Sequence, residues 1–460
     1  ALADGDLVVT GIFASLDGVP ANGIARGDGT TWRPLGGGLT SGGFPASAEA
    51  VVELPNGDLV VGGGFNAAGG QPIRALARWN GQTWSQIGVG LSQIGPLGPA
   101  VHGAVLLPNG DLVVAGRFAI PSVGAQHVAR WDGSAWSAIG GYAGTPPTAL
   151  AVTAAGEPVL ASPAGTATWS VQVFDGTSWT PLGGGFGEFQ NIGHLGLGAD
   201  GSLLAGGSFR ASFGAPADFL AQWNGTAWVG VGSGLDFSVV QTAVLPNGDL
   251  VAAGFNATAS SNTLRGIARL RAGVWTTLDG GLSGPDVSSG AAGAAWTGER
   301  LYVVGGFRSA GGRPSPFFAE LTTPCAPQVV RFGVGCAGSG GANELAATSQ
   351  PWLGATFTAE ATGLPAGLAV ALHGLSTALL PLAAVLPQGG PGCNLLVAPE
   401  VTVVDAPVGG ALGTSIRIPN APALAGQIVH HQVLGVGIDS LGAITELTGT
   451  NRLTLVLGAF

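Results

Sequence analysis

Histidine is the scarcest candidate for acid–base chemistry in this chain of 460 residues, which contains six of them. His102 and His194 each lie a few residues before a recurring glycine turn, and Glu49 and Glu53 lie before another copy of that turn. Equivalent positions in a repeat reach equivalent places in the fold. These four side chains are therefore the best candidates for a shared polar site, because a carboxylate beside an imidazole can move a proton.

The remaining histidines and the tyrosines favour structural roles. His430 and His431 are neighbours on an alternating strand pattern, so their side chains face opposite sides and cannot easily bind one metal ion. Tyr142 and Tyr302 are the only tyrosines and have no cysteine nearby in the sequence, which is unlike a copper-radical oxidase. We predict no metal site and no cofactor.

Arginine supplies every basic side chain, since the chain has sixteen arginines and no lysine. Four arginines belong to a recurring Ala-Arg pair, and an aspartate recurs about 20 residues before each of them. Residues that repeat along the chain are poor candidates for a unique active site, so we predict structural ion pairs between strands. The aspartates are Asp6, Asp58, Asp111 and Asp249, and the arginines are Arg26, Arg78, Arg130 and Arg269.

A second group of arginines lies in or beside glycine-rich loops that differ between copies. Guanidinium groups recognise carboxylate and sulfate groups through paired hydrogen bonds, so these loops are candidates for binding an acidic polysaccharide. The alternative is that they only keep a glycine-rich surface solvated. The loop arginines are Arg74, Arg117, Arg210, Arg265, Arg308 and Arg313.

The elements that position these residues are copies of one repeat. Leu-Pro-Asn-Gly-Asp-Leu-Val-Val, then Gly-Gly-x-Phe, is followed by Ala-Arg-Trp, a second turn and a late Trp, as in Leu54 to Trp84. The turn glycines are spaced by about 49 residues, which gives seven copies. Asn-Gly and Asp-Gly turns divide each copy into four short antiparallel strands. The turn glycines are Gly5, Gly57, Gly110, Gly156, Gly201, Gly248 and Gly298.

Four antiparallel strands repeated seven times predict a seven-bladed β-propeller over residues 1–324. The diglycine that closes the second strand and the late Trp resemble kelch-type repeats. The fuller repeat is similar to the propellers of fungal cell-polarity cortical marker proteins and of many secreted bacterial proteins, over about 70% of the chain. In a kelch-like blade the first strands line the central channel, which would place His102, His194, Glu49 and Glu53 there. Asp-Gly-x-x-Trp is not the Asp-x-Gly box of sialidases.

Composition limits the possible partners. The net charge is −10 without basic runs, which argues against nucleic acid and against an anionic membrane surface. The stretch from Leu364 to Leu386 is long enough to span a bilayer, but its glycines and prolines indicate strands and turns instead. We expect no membrane span, and a secreted, extracellular or cell-surface location.

Past Cys325 the repeat ends, and alternating runs separated by Gly, Pro and Asn predict a β-sandwich over residues 325–460. The predicted fold class is therefore all-β, a propeller plus a C-terminal β-sandwich. Copy one begins at its second strand and copy seven lacks its Trp strand, so we propose Gln328 to Phe332 as a strand that closes the ring. Residues that precede Ala1 are the competing explanation.

Phe332 to Cys336, Pro351 to Gly354, Gly390 to Cys393 and the closing Leu453 to Gly458 resemble a C-terminal module of large secreted bacterial proteins. In such proteins the module is a shared tail, which implies sorting, anchoring or assembly. Both Cys336 and Cys393 match it, so we predict a disulfide between them, with Cys325 to Cys336 as the alternative.

The sequence as a whole favours a secreted, non-catalytic structural or binding protein of the cell surface or of an extracellular assembly. Its expected partners are other proteins or copies of itself, and an acidic polysaccharide. The alternative is a propeller enzyme, a lyase or hydrolase acting on an acidic polysaccharide through the channel residues.

Overall fold

A computed structural model describes the chain over residues 1–28, 30–164, 168–187, 191–212, 215–256, 264–284, 290–297, 300–322 and 327–459. The chain forms two compact units. The first comprises Ala1–Leu245 and Asp249–Leu321, and the second comprises Pro246–Gly248 and Thr322–Phe460. The predicted boundary between residues 324 and 325 falls outside the described residues.

The first unit is a β-propeller built from antiparallel sheets that follow the repeats in order. Five sheets have four strands, and the first and last have three strands each within the described residues. We number them sheet 1 to sheet 7 along the chain; the number of blades in the complete ring stays a prediction. Six of the tight turns form as expected, because their glycines take positive φ, as Gly57 does at 84°. The seventh turn glycine, Gly298, lies outside the described residues.

The bounds of these strands are as follows. Sheet 1 contains Leu7–Thr10, Ile24–Gly27 and Trp32–Pro34, and sheet 7 contains Ala291–Trp296, Arg300–Gly305 and Phe318–Thr322. Sheet 2 contains Ala48–Glu53, Leu59–Gly63, Leu76–Trp79 and Trp84–Gln86; sheet 3 contains Ala100–Leu106, Leu112–Ile120, Ala125–Trp131 and Trp136–Ala138. Sheet 4 contains Ala149–Val152, Pro158–Pro163, Trp169–Phe174 and Trp179–Pro181; sheet 5 contains Ile192–Leu197, Leu203–Gly207, Leu220–Trp223 and Trp228–Gly230. Sheet 6 contains Phe237–Val244, Leu250–Asn256, Ile267–Arg271 and Val274–Thr277.

The loops of the first unit contain short strand pairs and one turn of helix. The helix is the 3-10 turn Pro121–Val123. The short strands are Ser15–Leu16, Val19–Pro20, Leu39–Ser41, Phe44–Pro45, Ala67–Ala68, Ala211–Ser212, Ala215–Pro216, Leu282–Ser283, Ser309–Ala310 and Arg313–Pro314.

The sheets pack their faces against neighbouring sheets, so the second strands of sheets 2 to 5 are mostly buried on both sides. Every residue of Leu59–Gly63 is buried. Gly62 shows how close the next sheet comes, because a Cβ built on it would lie 2.6 Å from a methyl carbon of Val101 in sheet 3. Close packing of this kind leaves little room for side chains in the diglycine.

The late Trp of each complete sheet ties that sheet to the preceding repeat. In sheet 2, for example, the Trp84 indole N–H donates to the carbonyl oxygen of Leu35, 49 residues earlier. Equivalent bonds occur in all five four-stranded sheets, at donor–acceptor distances from 2.8 to 3.3 Å. The Trp strand lies at one edge of each sheet and the first strand at the other.

The second unit consists of strands that form two larger sheets and two hairpins. One sheet runs in the order Gln328–Phe332, Arg452–Val456, Ile428–Ile438, Gly367–Gly374 and Val401–Asp405, with Ile444–Gly449 also paired to Ile428–Ile438. The other contains Glu344–Ala347, Thr356–Thr362 and Leu412–Arg417. The hairpins are Ala337–Gly338 with Gly341–Ala342 and Ser376–Pro381 with Asn394–Ala398; Leu382–Ala384 and Pro422–Leu424 are 3-10 turns.

One hydrophobic cluster joins the two larger sheets of the second unit. Phe357, Ala371, Val433 and Leu455 are buried members of it and come from both sheets. The classification as a β-sandwich stays a prediction. Cys336 and Cys393 form the predicted disulfide, across a sequence separation of 57 residues. Cys325, the alternative partner, lies outside the described residues.

The proposal that Gln328 to Phe332 closes the propeller is wrong. This strand pairs with Arg452–Val456 inside the second unit, from Gln328 opposite Val456 to Phe332 opposite Arg452. The stretch from Leu364 to Leu386 forms strands and a 3-10 turn, as expected. Among the described residues, no helix is long and apolar enough to cross a membrane.

Candidate functional site

A cavity of about 770 Å³ lies among the first strands of the propeller sheets. Residues of all seven sheets line it, and nearly all of these residues come from the first described strand of each sheet. Its polar side chains include Glu49, His102, His194, Gln241 and Tyr302. This cavity is the channel that the repeat predicts.

Glu49 and His102 meet in this channel. The Nδ1 atom of His102 lies 2.6 Å from the Oε2 atom of Glu49, although the two residues come from different sheets. Both side chains are partly accessible to solvent, with 22% of the His102 side chain and 44% of the Glu49 side chain exposed. A carboxylate in contact with an imidazole fixes its orientation and can take up or release a proton with it.

A bulge in the first strands of sheets 2 and 3 explains why the side chains of Glu49 and His102 meet in the channel. In sheet 2 the pairing register shifts between Ala48 and Ala50, which leaves Glu49 unpaired, and in sheet 3 it shifts around His102 in the same way. A bulged residue has no partner on the neighbouring strand and its side chain is re-aimed. Glu49 and His102 are therefore equivalent bulge residues of neighbouring sheets.

His194 occupies a different position, because the bulge of sheet 5 falls at Gly193. Its Nε2 atom lies 2.8 Å from the hydroxyl of Thr242 in sheet 6, and only 9% of the residue is exposed. Burial lowers the pKa of His194 to about 4, so the imidazole is neutral at pH 7. His194 thus joins two sheets beside the channel rather than facing Glu49.

Glu53 is also separate from the Glu49–His102 pair. It ends the first strand of sheet 2, and its carboxylate accepts a hydrogen bond from the backbone N–H of Ala3 at 2.7 Å. Tyr302, which the sequence did not place here, lines the channel from the second strand of sheet 7. Burial is the main cause of the raised pKa of its phenol.

The repeated Asp and Arg residues form ion pairs as expected in three sheets. Arg26 contacts Asp6 at 2.7 Å and Arg78 contacts Asp58 at 2.6 Å, and Arg130 pairs with Asp111. In sheet 6 the close partner of Asp249 is Arg271 at 2.7 Å, whereas Arg269 lies 3.8 Å away. Arg271 lies two residues nearer to the following turn, so Asp249 contacts both arginines and the expected contact with Arg269 is the longer one.

Sheet 7 contains the same bridge with the charges exchanged. Arg300 on its second strand contacts Glu320 on its third strand at 2.9 Å. The ion pair is therefore a feature of the sheet geometry and not of one residue order. This supports the structural role of these residues.

The turns before the late Trp are also structural. The Oδ1 atom of Asp132 accepts hydrogen bonds from the backbone N–H groups of Ser134 and Ala135, both at 2.8 Å. These bonds stabilise the carboxylate and lower the pKa of Asp132 to about 2, and the same pattern lowers the pKa of Asp175 to about 2. These carboxylates cap turns and are poor candidates for acid–base catalysis.

Five of the loop arginines lie between the second and third strands of their sheets, and Arg117 lies within the second strand Leu112–Ile120. Five of them have no carboxylate of the described residues within 4.0 Å: Arg74, Arg117, Arg265, Arg308 and Arg313. Arg117 and Arg265 instead donate to the backbone carbonyl oxygens of Gly98 and Gly280. Arg210 packs over the ring of Phe219, with 5.4 Å between the guanidinium carbon and the ring centroid.

The other seven arginines of residues 1–324 behave differently. Each has a carboxylate oxygen within 4.0 Å: Arg26, Arg33, Arg78, Arg130, Arg269, Arg271 and Arg300. Connections from second to third strands lie at the opposite end of each antiparallel sheet from the tight turns. Asp218, Asp236 and Asp279 lie in connections at this end as well, so the loop arginines share this end of the sheets with carboxylates.

In the second unit, His430 and His431 point to opposite sides, as the alternating pattern predicted. His431 is fully buried, and its Nε2 atom is hydrogen-bonded to the hydroxyl of Thr414 at 2.9 Å. Its ring stacks on that of His373, with 4.4 Å between the ring centroids. His430 lies beside the hydroxyl of Thr454 at 3.1 Å. Burial is the main cause of the lowered pKa of His373 and His431.

Comparison with solved structures finds chains of low overall similarity. A structure titled "YCF48 bound to D1 peptide" is 18% identical, with a TM-score of 0.42, over 66% of this chain and 86% of the other. Puromycin hydrolase is 17% identical, with a TM-score of 0.45, over 79% of this chain and 57% of the other. YCF48 from Cyanidioschyzon merolae is 16% identical, with a TM-score of 0.38, over 65% and 88%. No protein-family model and no curated protein matches the chain. Likeness at this level concerns the fold and not the function.

Proposed function

We propose that this chain is an extracellular, non-catalytic binding protein whose loop arginines bind an acidic polysaccharide. The observation that carries the proposal is the division among the arginines of the propeller. Seven have carboxylate partners, whereas five of the six loop arginines have none among the described residues. Guanidinium groups without an internal carboxylate partner are available to carboxylate or sulfate groups of a ligand.

An extracellular location is supported by the disulfide of the second unit, because disulfides persist in oxidising compartments. We also propose that the repeats are of the kelch-like class. In the same proposal the second unit is a β-sandwich that serves in assembly. Self-association is supported by the edge strand Val401–Asp405, in which all five residues are exposed and three are valines. An exposed apolar edge strand is a surface on which a second copy can pair.

The test compares two triple variants with the same change of net charge. Arg74→Gln, Arg308→Gln and Arg313→Gln remove exposed loop arginines, and Arg33→Gln, Arg331→Gln and Arg417→Gln remove arginines elsewhere. Each protein is passed over immobilised heparin and immobilised alginate, with dextran as the uncharged control. We expect the loop variant to elute at lower salt than the wild type and the control variant to elute with the wild type, since exposed charge pairs are screened by salt. Equal elution of the two variants refutes the proposal.

The Glu49–His102 contact favours a second candidate, a lyase or hydrolase that acts on an acidic polysaccharide. A carboxylate–imidazole pair in a cavity of about 770 Å³ is suited to move a proton on a bound substrate. The test is to incubate the chain with uronic-acid polysaccharides and to measure new chain ends. Cleavage that His102→Ala abolishes, with the propeller still folded, supports this candidate, and absence of cleavage from every uronate polymer tested removes it.

A further inference from the structure

A groove lies beside the third strand of sheet 7, at the place where the other sheets carry their Trp strand. It has a volume of about 230 Å³. Its apolar wall includes the buried side chains of Ile267, Leu278, Leu282, Leu301 and Val303. Its polar side chains are Asp279, Arg313, Ser315 and Glu320. We call it the sheet 7 groove.

Five equivalent positions in the same chain are filled by tryptophan. Each late Trp donates its indole N–H to a carbonyl oxygen of the preceding repeat. The acceptor residue lies three positions after the Trp of that repeat. Trp136 of sheet 3, for example, donates to Ile87, which lies three residues after Trp84 of sheet 2. The corresponding carbonyl for sheet 7 belongs to Leu278, three residues after Trp275. Within the described residues this oxygen accepts only the turn hydrogen bond from Gly281 at 2.9 Å. The groove therefore contains the edge of the strand Phe318–Thr322 and the carbonyl oxygen of Leu278. The equivalent carbonyl oxygens in the other repeats accept a hydrogen bond from a tryptophan.

One residue of the groove departs from the repeat. The position after this carbonyl is glycine in five repeats, and a Cβ at Gly88 would lie 2.6 Å from the indole nitrogen of Trp136. In the sixth repeat Asp279 occupies the position, with φ of 45°, which is a backbone region that favours glycine. Its Cβ is tolerated because no Trp from the described residues packs there. An indole in the groove would meet this Cβ, so tryptophan is a poor occupant.

The chemistry of the groove suits a basic side chain instead. An arginine has an unbranched apolar stem that can lie on Leu282 and Ile267, and its guanidinium has five N–H donors. It can donate both to the Leu278 carbonyl oxygen and to the Asp279 carboxylate, which has no partner of its own among the described residues. Glu320 adds a second carboxylate, which is already in contact with Arg300.

We propose that the sheet 7 groove binds an extended peptide of another protein chain, which pairs with Phe318–Thr322 and places an arginine where the other sheets hold a tryptophan. Main-chain hydrogen bonds to the strand edge supply affinity, and the arginine supplies specificity. Arg313 is one of the loop arginines and also lines the groove, so the two proposed sites share this residue.

The test uses three peptides based on residues 82–90, the Trp strand of sheet 2. They carry Arg, Trp or Ala at the position of Trp84, and each bears a fluorescein label because the chain has twelve tryptophans of its own. Binding to the full chain is measured by fluorescence anisotropy. We expect the Arg peptide to bind at one site, about tenfold or more tighter than the Trp and Ala peptides, since a hydrogen bond to a charged group is worth about 1.5–3 kcal/mol.

Asp279→Gly gives the deciding result. The variant restores the glycine of the other five repeats at a positive φ, which glycine adopts without strain. The preference should then change from the Arg peptide to the Trp peptide. Asp17→Gly is the matched control, because Asp17 is an exposed aspartate at a φ of 48° and does not line the groove. The proposal is overturned if no peptide binds, or if the preference for arginine is the same in Asp279→Gly as in Asp17→Gly.

Discussion

The substitution Trp84→Phe should destabilise the propeller more than the same substitution at Trp32. Trp84 is buried, contacts Trp79 with 5.1 Å between ring centroids, and donates its indole N–H to Leu35 at 2.9 Å. Trp32 occupies the equivalent strand of sheet 1 and contacts Phe318 at 5.6 Å, but donates no such bond within the described residues. The two sites therefore differ in the bond between sheets and in burial.

The expected difference follows from two contributions. Loss of the indole N–H bond costs about 0.5–1.5 kcal/mol. Loss of ring atoms from a buried position leaves space that neighbouring sheets fill only in part, at a further cost of about 1–2 kcal/mol. Trp84→Phe should thus lower the free energy of unfolding by about 2–3 kcal/mol, and Trp32→Phe, which is partly exposed, by about 1 kcal/mol or less.

Urea unfolding followed by circular dichroism measures this difference, provided that the slope with denaturant is the same for all variants. A lower midpoint for Trp84→Phe than for Trp32→Phe supports the assignment. Equal losses would show that the aromatic contact alone, and not the bond to the preceding repeat, stabilises the sheets.

Three further predictions test other parts of the structure. The folded-state pKa of His194, about 4, lies below its usual value of 6.5, so the unfolded chain binds more protons and stability falls as the pH drops from about 6.5 to 4; His194→Gln should reduce this loss between pH 7 and pH 5, measured by urea midpoints. The double variant Arg300→Asp with Glu320→Arg should recover most of the stability lost in either single variant, because it restores the charge order of sheets 1 to 3. A double-mutant cycle should give a coupling energy of about 0.5–1 kcal/mol between the two positions. Cys393→Ser removes a cross-link between residues 57 positions apart and should lower the stability of the second unit by about 3–4 kcal/mol; a melting temperature unchanged from that of the wild type would contradict it.

Strands and turns could be predicted from the sequence because their signals are local. Alternation and Asn-Gly turns predict strands at Asp58 to Gly63, Ala355 to Ala361 and Ile428 to Leu434. The observed strands are Leu59–Gly63, Thr356–Thr362 and Ile428–Ile438. The same signals do not reveal which sheet a strand joins. Gln328–Phe332 reads as a strand, but its partner is 120 residues or more away in sequence, and only hydrogen bonding decides the pairing.

The candidate channel site was predicted in part for a similar reason. Counting back from the turn glycine, Glu49 and His102 both lie eight residues before Gly57 and Gly110, whereas His194 lies seven before Gly201. A bulge turns this difference of one residue into a different direction of the side chain. The spacing could therefore be read from the sequence. The direction of each side chain depends on the position of the bulge, which residue type alone does not predict.

Departures from a repeat are more informative about function than the repeat itself. Positions that are alike in every sheet, such as the paired Asp58 and Arg78, are explained by contacts that every sheet needs. Asp279 replaces a glycine at the one junction where the following sheet has no Trp strand among the described residues, and Glu320 takes the place of an arginine in the same sheet. Glu320 is explained by its ion pair with Arg300, which keeps the contact of the other sheets with the charges exchanged. Asp279 forms no ion pair within the described residues, so recognition of a basic partner is the physical reason that we propose for this replacement.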